Sequence, residues 1–230
     1  MELDSAIFSR YLSDGIPTFR VYRWSAPSFT YGVSQKPEGL LHLDRCMAEG
    51  VGVAGRMTGG GLLFHDDEIT YSFVCGKEDV GEPAQHLVAY RQICAFLIRF
   101  YRSIGLSASF ALEAADFGSK SSPSRFCACS HEKYDILISG KKIGGNAQKR
   151  SRQAIFQHGS IPIKIDHGIM LRYIKGADRD SISGVTALSD ELGSVPDRGH
   201  IEDEIIEAFS LAFNVNMIEE HEVAREAAMA

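Results

Sequence analysis

The segment best suited to chemistry spans residues 56–66 and reads RMTGGGLLFHD. Its three consecutive glycines leave a turn without Cβ atoms, so backbone N–H groups there can approach a ligand closely. Arg56 adds a permanent cation before this turn, and His65 adds an imidazole that titrates near neutral pH. The segment predicts a loop that closes on a ligand, and a plain glycine-rich hairpin turn is the alternative.

Two further motifs occur in the second half of the chain, SGKKIGGNAQKR at 139–150 and FQHGSIPIKID at 156–166. With 56–66 they resemble the lipoate ligase and octanoyltransferase family of the biotin/lipoate protein ligase superfamily. In that family an Arg-x-(Ser/Thr)-Gly-Gly-Gly-x-x-(Phe/Tyr)-His-Asp segment precedes Gly-x-Lys-(Ile/Val)-x-Gly-(Ser/Asn)-Ala-Gln, and a His-Gly-(Ser/Thr) strand follows. All three motifs occur here in that order, and the resemblance extends from Met1 to about Leu192.

The resemblance implies a cysteine nucleophile. In the octanoyltransferase branch that transfers through a thioester, a cysteine precedes a Tyr-(Glu/Asp) strand at about the offset that Cys127 has here, seven residues before Tyr134. A thiolate is strongly nucleophilic, and its thioester stays activated toward an amine. Cys129 is the alternative nucleophile or a resolving partner. A zinc site at Cys127, Cys129 and His131 is disfavoured because no second ligand pair stands nearby, so no metal is predicted.

The resemblance also implies two further catalytic residues. Lys142 matches the family lysine that contacts the acyl carbonyl, where a cation stabilises a developing oxyanion. Lys141 should face the opposite way, because strand side chains alternate. His65 is expected to line the same pocket and to move a proton or lower the thiol pKa. Substrate binding is assigned to Gln35, Arg56, Thr58, Gly59, Gly60, Gly61, Gly145, Asn146, Ala147 and His158. Asp66 and Asp67 are expected to position the turn.

Composition narrows the class of protein. The chain has 230 residues, 44% of them apolar, which suffices for one sizeable core. A net charge of −6 argues against a dedicated nucleic-acid binder. No apolar run reaches the roughly 18–20 residues that span a bilayer, and the N-terminus lacks the basic region of a signal peptide. Five cysteines, an odd number, suit reduced thiols. These features predict a cytoplasmic protein without a membrane partner.

Hydrophobic periodicity predicts the elements that position these residues. Helices are predicted over 2–13, 40–49, 82–103, 169–174 and 201–213. Strands are predicted over 17–24, 28–34, 51–54, 69–75 and 106–112, followed after a long loop at 114–132 by a meander across YDILIS, KKIGGNA and QAIFQHGSIPIKI. The order of elements predicts an α+β fold with a mixed β-sheet packed with helices, and the family implies the same biotin/lipoate ligase-like domain. We expect a single domain over 1–230, recognisable to about residue 192, with a helical extension over 193–230 and no full accessory domain.

Two enzymatic reactions fit this scaffold. The favoured one transfers an octanoyl or lipoyl group from an acyl carrier protein, through a cysteine acyl-enzyme and without a cofactor, to a lysine of a lipoyl-domain protein. The acceptor would be a glycine cleavage H protein or an E2 subunit of a 2-oxoacid dehydrogenase. The alternative is an ATP- and magnesium-dependent lipoate-protein ligase that forms lipoyl-adenylate, with a separate accessory chain in some cases. A non-catalytic acyl-binding protein is the third hypothesis.

Overall fold

The computed structural model describes residues 1–81, 86–114, 133–178 and 184–219. The helices of these segments are α1 (Glu2–Asp14), α2 (Leu43–Ala48), α3 (His86–Ser103), α4 (His167–Leu171), α5 (Leu188–Glu191) and α6 (Arg198–Phe213). The strands are β1 (Thr18–Arg23), β2 (Ser28–Tyr31), β3 (Gly52–Gly55), β4 (Leu63–His65), β5 (Glu68–Cys75), β6 (Ala108–Phe110), β7 (Ile136–Ile138), β8 (Lys141–Ile143), β9 (Asn146–Arg150), β10 (Ile155–Pro162) and β11 (Val185–Thr186).

The strands form three sheets, in the orders β1-β5-β10-β9, β11-β8-β7-β6 and β3-β2-β4. The first sheet is antiparallel throughout, whereas the other two each contain one parallel pair. Strand β5 is buried at all of its eight positions because β1 and β10 flank it and helices cover the sheet. The predicted α+β class, with mixed sheets packed with helices, is therefore confirmed.

Helices α3 and α6 close the main core over the first sheet. On α6 the apolar residues Ile201, Ile205 and Phe209 recur every four positions and are all buried, as on one face of a helix. The ring of Phe209 stacks on Phe19 of β1, with ring centroids 3.8 Å apart. Asp197 caps the helix by accepting a hydrogen bond from the backbone of His200. The C-terminal segment up to residue 213 is thus part of the main core.

The predicted meander is wrong at one point, because β8 and β9 lie in different sheets. The chain passes between the sheets at Gly144, which has a φ of +70°. A Cβ atom at Gly144 would overlap the backbone carbonyl oxygen of Ser160. Only glycine therefore lets this crossing pack against β10. Strand β4 was also missed, since three residues are too few to show a period.

None of the helices in the described part of the chain has the length and apolar character needed to cross a bilayer.

The crossing yields a stability prediction. Gly140 and Gly144 both have a left-handed backbone, but only Gly144 faces atoms that a Cβ would strike. Gly140→Ala should cost about 1–2 kcal/mol, the penalty of the left-handed conformation alone. Gly144→Ala should cost on the order of 4 kcal/mol, since a backbone oxygen cannot rotate away. Urea unfolding of both variants measures the difference, and equal losses would contradict a steric role for the crossing.

Candidate active site

A pocket lies where the three-stranded sheet, the β8–β9 crossing and the segment around α4 meet. Its apolar wall comes from Phe29, Leu62, Phe64, Met170 and Ile174, which belong to a second hydrophobic cluster separate from the main core. Polar groups, with Lys142 among them, complete the lining. A pocket with one apolar wall and a few placed polar groups suits an apolar chain that carries a polar end.

Arg56 holds the glycine turn together. Its side chain is buried, and Nη1 donates to the carbonyl and hydroxyl oxygens of Thr30, at 2.7 and 2.8 Å. Nη2 donates to the carbonyl oxygens of Gly61 at 2.6 Å and Gly59 at 3.2 Å. Gly60, between them, has a φ of +94° and lines the pocket. Arg56 thus ties strand β2 to the turn through charge-assisted hydrogen bonds.

His65 lies beside the pocket rather than in its lining. Its Nε2 is 2.6 Å from the hydroxyl of Thr30, and its Nδ1 is 2.8 Å from the carboxylate of Glu68. The indole of Trp24 stacks on its ring, with centroids 4.2 Å apart. The expectation that His65 lines the pocket is therefore corrected: along β4 the side chains alternate, and the neighbouring Phe64 faces the pocket instead.

The hydrogen-bond network assigns the protons of His65. Because Arg56 can only donate, Thr30 Oγ1 accepts from it and has its own proton left for His65 Nε2. Nδ1 then carries the ring proton and donates to Glu68, which also accepts from the hydroxyl of Thr70. Both ring nitrogens of His65 thus form hydrogen bonds to side chains of the protein. His65 therefore orients the turn, and it is the neighbouring residues that line the pocket.

His158 and Thr58 form a second buried pair. His158 Nε2 lies 2.9 Å from the hydroxyl of Thr58, and both side chains are buried. Burial lowers the pKa of His158 to about 3, and the charge of Arg56 acts in the same direction. His158 is therefore neutral at physiological pH and anchors the glycine turn to β10 as a hydrogen-bonding group.

Lys142 extends from β8 into the pocket with only 4% of its surface exposed. Its Nζ lies 2.8 Å from the carboxylate of Asp135, which is equally buried. Burying an ammonium ion requires such a partner, because desolvation otherwise drives off its proton. Lys141 is exposed, as the alternation of strand side chains predicted. Asp135 is the partner that the sequence analysis missed.

The residues after the crossing form the pocket's other wall. Gly145, Asn146 and Ala147, which the resemblance assigns to substrate binding, all line it. Asn146 is fixed because its side-chain oxygen accepts from the hydroxyl of Tyr71 at 2.8 Å and its carbonyl accepts from Tyr90 at 3.0 Å. A small, fixed backbone at this wall leaves room for a ligand chain to lie against it.

The predicted site residues thus separate into those that meet in the pocket and those that do not. The lining includes Arg56, Gly60, Lys142, Gly145, Asn146 and Ala147. Thr58, His65 and His158 support it from behind. The side chain of Gln35 is not in the lining, and it accepts a hydrogen bond from the backbone N–H of Gly32. Cys127, Cys129 and His131 lie outside the described residues.

The fold belongs to the class of lipoate-protein ligases. A lipoate-protein ligase A structure bound with ATP aligns over 99% of this chain and 85% of its own, with a TM-score of 0.78 and 23% identity. A bipartite lipoate protein ligase from Thermoplasma acidophilum, described with its E2 lipoyl domain, aligns over 99% and 84%, with a TM-score of 0.76 and 22% identity. At these identities the likeness establishes the fold alone.

The sequence establishes the family. The chain belongs to the lipoyl protein ligase A/B catalytic domain family, whose model matches residues 1–210. Relatives named octanoyltransferase LipM include one from Bacillus cereus, 31% identical over 86% of this chain and 73% of its own. One from Geobacillus kaustophilus is 34% identical over 76% and 64%, and one from Clostridioides difficile is 28% identical over 95% and 84%. The aligned share of the Geobacillus relative is thus just under two thirds of its length.

The buried His158 predicts acid sensitivity of the fold. The pKa of His158 is about 3 in the folded protein, whereas the ordinary value of 6.5 applies to the unfolded chain. Between these two pH values the histidine is protonated in the unfolded chain and neutral in the folded protein. The stability that neutral His158 contributes is complete above pH 6.5 and is lost as pH falls toward 3. Between pH 7 and pH 5 this amounts to about 2 kcal/mol.

His158→Gln keeps a hydrogen-bonding group for Thr58 but cannot titrate. Its free energy of unfolding, measured by urea at pH 7 and pH 5, should fall by about 2 kcal/mol less than that of the wild type. His200→Gln is the matched control, since His200 is on the exposed side of α6. An unchanged pH slope in His158→Gln would show that His158 is protonated in the folded protein.

Proposed function

We propose that this protein transfers an octanoyl group from an acyl carrier protein to a lysine of a lipoyl-domain protein. The observation that carries the proposal is a buried lysine, Lys142, in a pocket whose other wall is apolar. The octanoyltransferase names of the relatives support the same reaction. The apolar wall of Phe29, Leu62 and Phe64 would hold the hydrocarbon chain and leave its carbonyl at the polar side.

Lys142 would stabilise the oxyanion that forms when a nucleophile attacks the acyl carbonyl. The ion pair with Asp135 fixes the position of the ammonium within the pocket. A donor that is already oriented costs no reorganisation when charge develops on the substrate. The fixed segment from Gly145 to Ala147 would support the acyl chain on the other side of the pocket. Packing of the acyl chain and the charge of Lys142 would then both position the acyl carbonyl.

Cys127 is proposed as the nucleophile that accepts the octanoyl group. Its assignment rests on the family offset before Tyr134, the residue that precedes Asp135. The three cysteines among the described residues, Cys46, Cys75 and Cys94, are all free and buried. Burial raises the pKa of Cys94 and of Cys46, which disfavours their thiolates as nucleophiles. A reduced compartment, the cytoplasm, suits a thioester enzyme.

ATP-dependent ligation is the second candidate. The fold neighbours include a lipoate-protein ligase A bound with ATP and a ligase described with an E2 lipoyl domain. In that reaction Lys142 would contact the adenylate phosphate, and ATP and magnesium would be required. Both reactions deliver an acyl group to a lipoyl-domain lysine, for which we propose a glycine cleavage H protein or an E2 subunit.

The proposed role of Lys142 predicts that its removal slows octanoyl transfer, whereas removal of the neighbouring Lys141 does not. Lys142→Met with Asp135→Asn removes the cation without leaving a buried carboxylate unpaired, so the fold should persist. Octanoyl transfer to a lipoyl domain should then fall about 10²–10³-fold, the usual cost of losing one oxyanion stabiliser. Lys141→Ala, on the exposed side of the strand, is the control and should stay within twofold of the wild type. Near-normal turnover of the double variant would remove Lys142 from the mechanism.

The donor and the nucleophile are tested together. With octanoyl-carrier protein and no acceptor or nucleotide, the protein should gain the mass of one octanoyl group, in a bond that hydroxylamine cleaves. Cys127→Ser should lose this adduct, because a hydroxyl is hardly ionised at neutral pH whereas a thiol keeps a few per cent thiolate.

Cys129→Ser is the matched control and should keep the adduct. An adduct that follows Cys129 would move the nucleophile by two residues and preserve the covalent mechanism. If no adduct forms, and lipoate with ATP and magnesium gives lipoylated acceptor instead, the ligase reaction replaces the transferase.

A further inference from the structure

The pocket contains several carboxylates, and each of them but one has a partner among the described residues. Glu68 accepts hydrogen bonds from His65 and from Thr70, as shown above. Asp166 caps α4 by accepting from the backbone N–H of Ile169 at 2.9 Å. Asp67 turns away to Arg198 on α6, with which it forms an ion pair.

Asp66 is the exception. No hydrogen bond or ion pair in the described part of the chain involves its carboxylate, although the side chain is half-buried and lines the pocket that holds Lys142. Its position is fixed, because its carbonyl accepts from the backbone N–H of Glu68 at 3.0 Å in the β4–β5 turn. The expectation that this side chain positions the turn is therefore not met: the backbone does so.

Burial raises the pKa of Asp66, and the charges of Asp67, Asp166 and Glu68 raise it further. A carboxylate shifted in this direction is a better proton acceptor than an ordinary surface aspartate. It also attracts a cation, because an ammonium beside Asp66 would compensate the charge of its carboxylate.

We propose that Asp66 binds the ammonium of the acceptor lysine and accepts a proton from its nitrogen as the amide bond forms. This role rests on the proposed function, in that it assumes an activated acyl group in the pocket and a lysine as acceptor. It adds a catalytic residue on the acceptor side, whereas Lys142 acts on the acyl carbonyl.

The proton balance shows what Asp66 would do. The acceptor lysine arrives as an ammonium, because its pKa is about 10.4. It releases one proton to solvent and stays hydrogen bonded to Asp66 as the amine. The nitrogen then bonds to the acyl carbon, the bond from that carbon to the leaving group breaks, and the second proton passes to Asp66. The leaving group departs with the electron pair of the broken bond and takes a proton from Asp66 or from solvent.

Other bases in the described part of the pocket are less suitable. His65 uses both ring nitrogens in hydrogen bonds, and His158 lies beneath the glycine turn outside the lining. Lys164 lines the pocket but is exposed to solvent. Asp66 lines the pocket, and its carboxylate has no hydrogen-bond or ion-pair partner among the described residues.

The test compares two acceptors for the same acyl group. The lysine of a lipoyl domain is charged at neutral pH and needs both functions of Asp66, whereas hydroxylamine is neutral and needs no ammonium site. Asp66→Asn should slow transfer to the lipoyl domain about 100-fold, a typical contribution of a positioned general base. Release of the acyl group as hydroxamate should stay within threefold of the wild type. Formation of the acyl-enzyme should also stay within threefold, which reports that the variant is folded.

Asp67→Asn is the matched control, because it removes the same charge from the adjacent position, where the side chain faces Arg198. It should slow lysine acylation less than threefold. Equal slowing with lysine and hydroxylamine, no slowing with either, or the same loss in Asp67→Asn would each overturn the role of Asp66. Should the wild type form no acyl-enzyme, the transferase proposal fails, and the two acceptors are compared on acyl-adenylate made from lipoate and ATP. The same selective loss with lysine is then expected of Asp66→Asn.

Discussion

The site depends on the buried guanidinium of Arg56. Strand β2 pairs with β3 and β4 on either side of the glycine turn, and Arg56 adds a direct link from the end of β2 at Thr30 to the turn carbonyls of Gly59 and Gly61. Three glycines give the turn wide backbone freedom, which is costly to restrict on folding. Hydrogen bonds to a charged donor contribute about 1.5–3 kcal/mol each, so four of them can fix a single conformation. The glycines therefore allow the turn to adopt its conformation, and the hydrogen bonds from Arg56 hold the turn in it.

This constraint extends to both histidines. Because Arg56 donates to the hydroxyl of Thr30, that hydroxyl donates its own proton to His65 and so determines the tautomer of the imidazole. The positive charge of Arg56 also helps to keep His158 neutral. His65 and His158, which the sequence motifs mark as site residues, thus form hydrogen bonds that stabilise the glycine turn. Among the described residues, the groups that we propose for chemistry lie on the other walls of the pocket, Lys142 on β8 and Asp66 in the β4–β5 turn.

Sequence alone predicted the local features of this molecule. Regular apolar spacing gave α3 and α6 to within a few residues at each end, and the motifs identified six of the residues that line the pocket. It missed Asp135 beside Lys142, because that contact depends on the register between β7 and β8, and Trp24 on His65, because these two positions are distant in the chain. It also missed the sheet change at Gly144, since two successive glycines in a strand pattern indicate a bulge as readily as a crossing.

That sheet change brings Lys142 and the wall formed by Gly145, Asn146 and Ala147 to one pocket. Lys142 lies in β8, which pairs with β7 and β11, whereas Asn146 and Ala147 lie in β9, which pairs with β10. If β8 and β9 were hairpin partners, neighbouring side chains would alternate across one flat surface. The crossing at Gly144 and Gly145 instead turns the chain between two sheets, and both flanks line the opening that results. The cation that we propose for the carbonyl and the wall that we propose for the hydrocarbon thus come from the six consecutive residues from Lys142 to Ala147, with glycine at position 144, where a Cβ would overlap the carbonyl oxygen of Ser160.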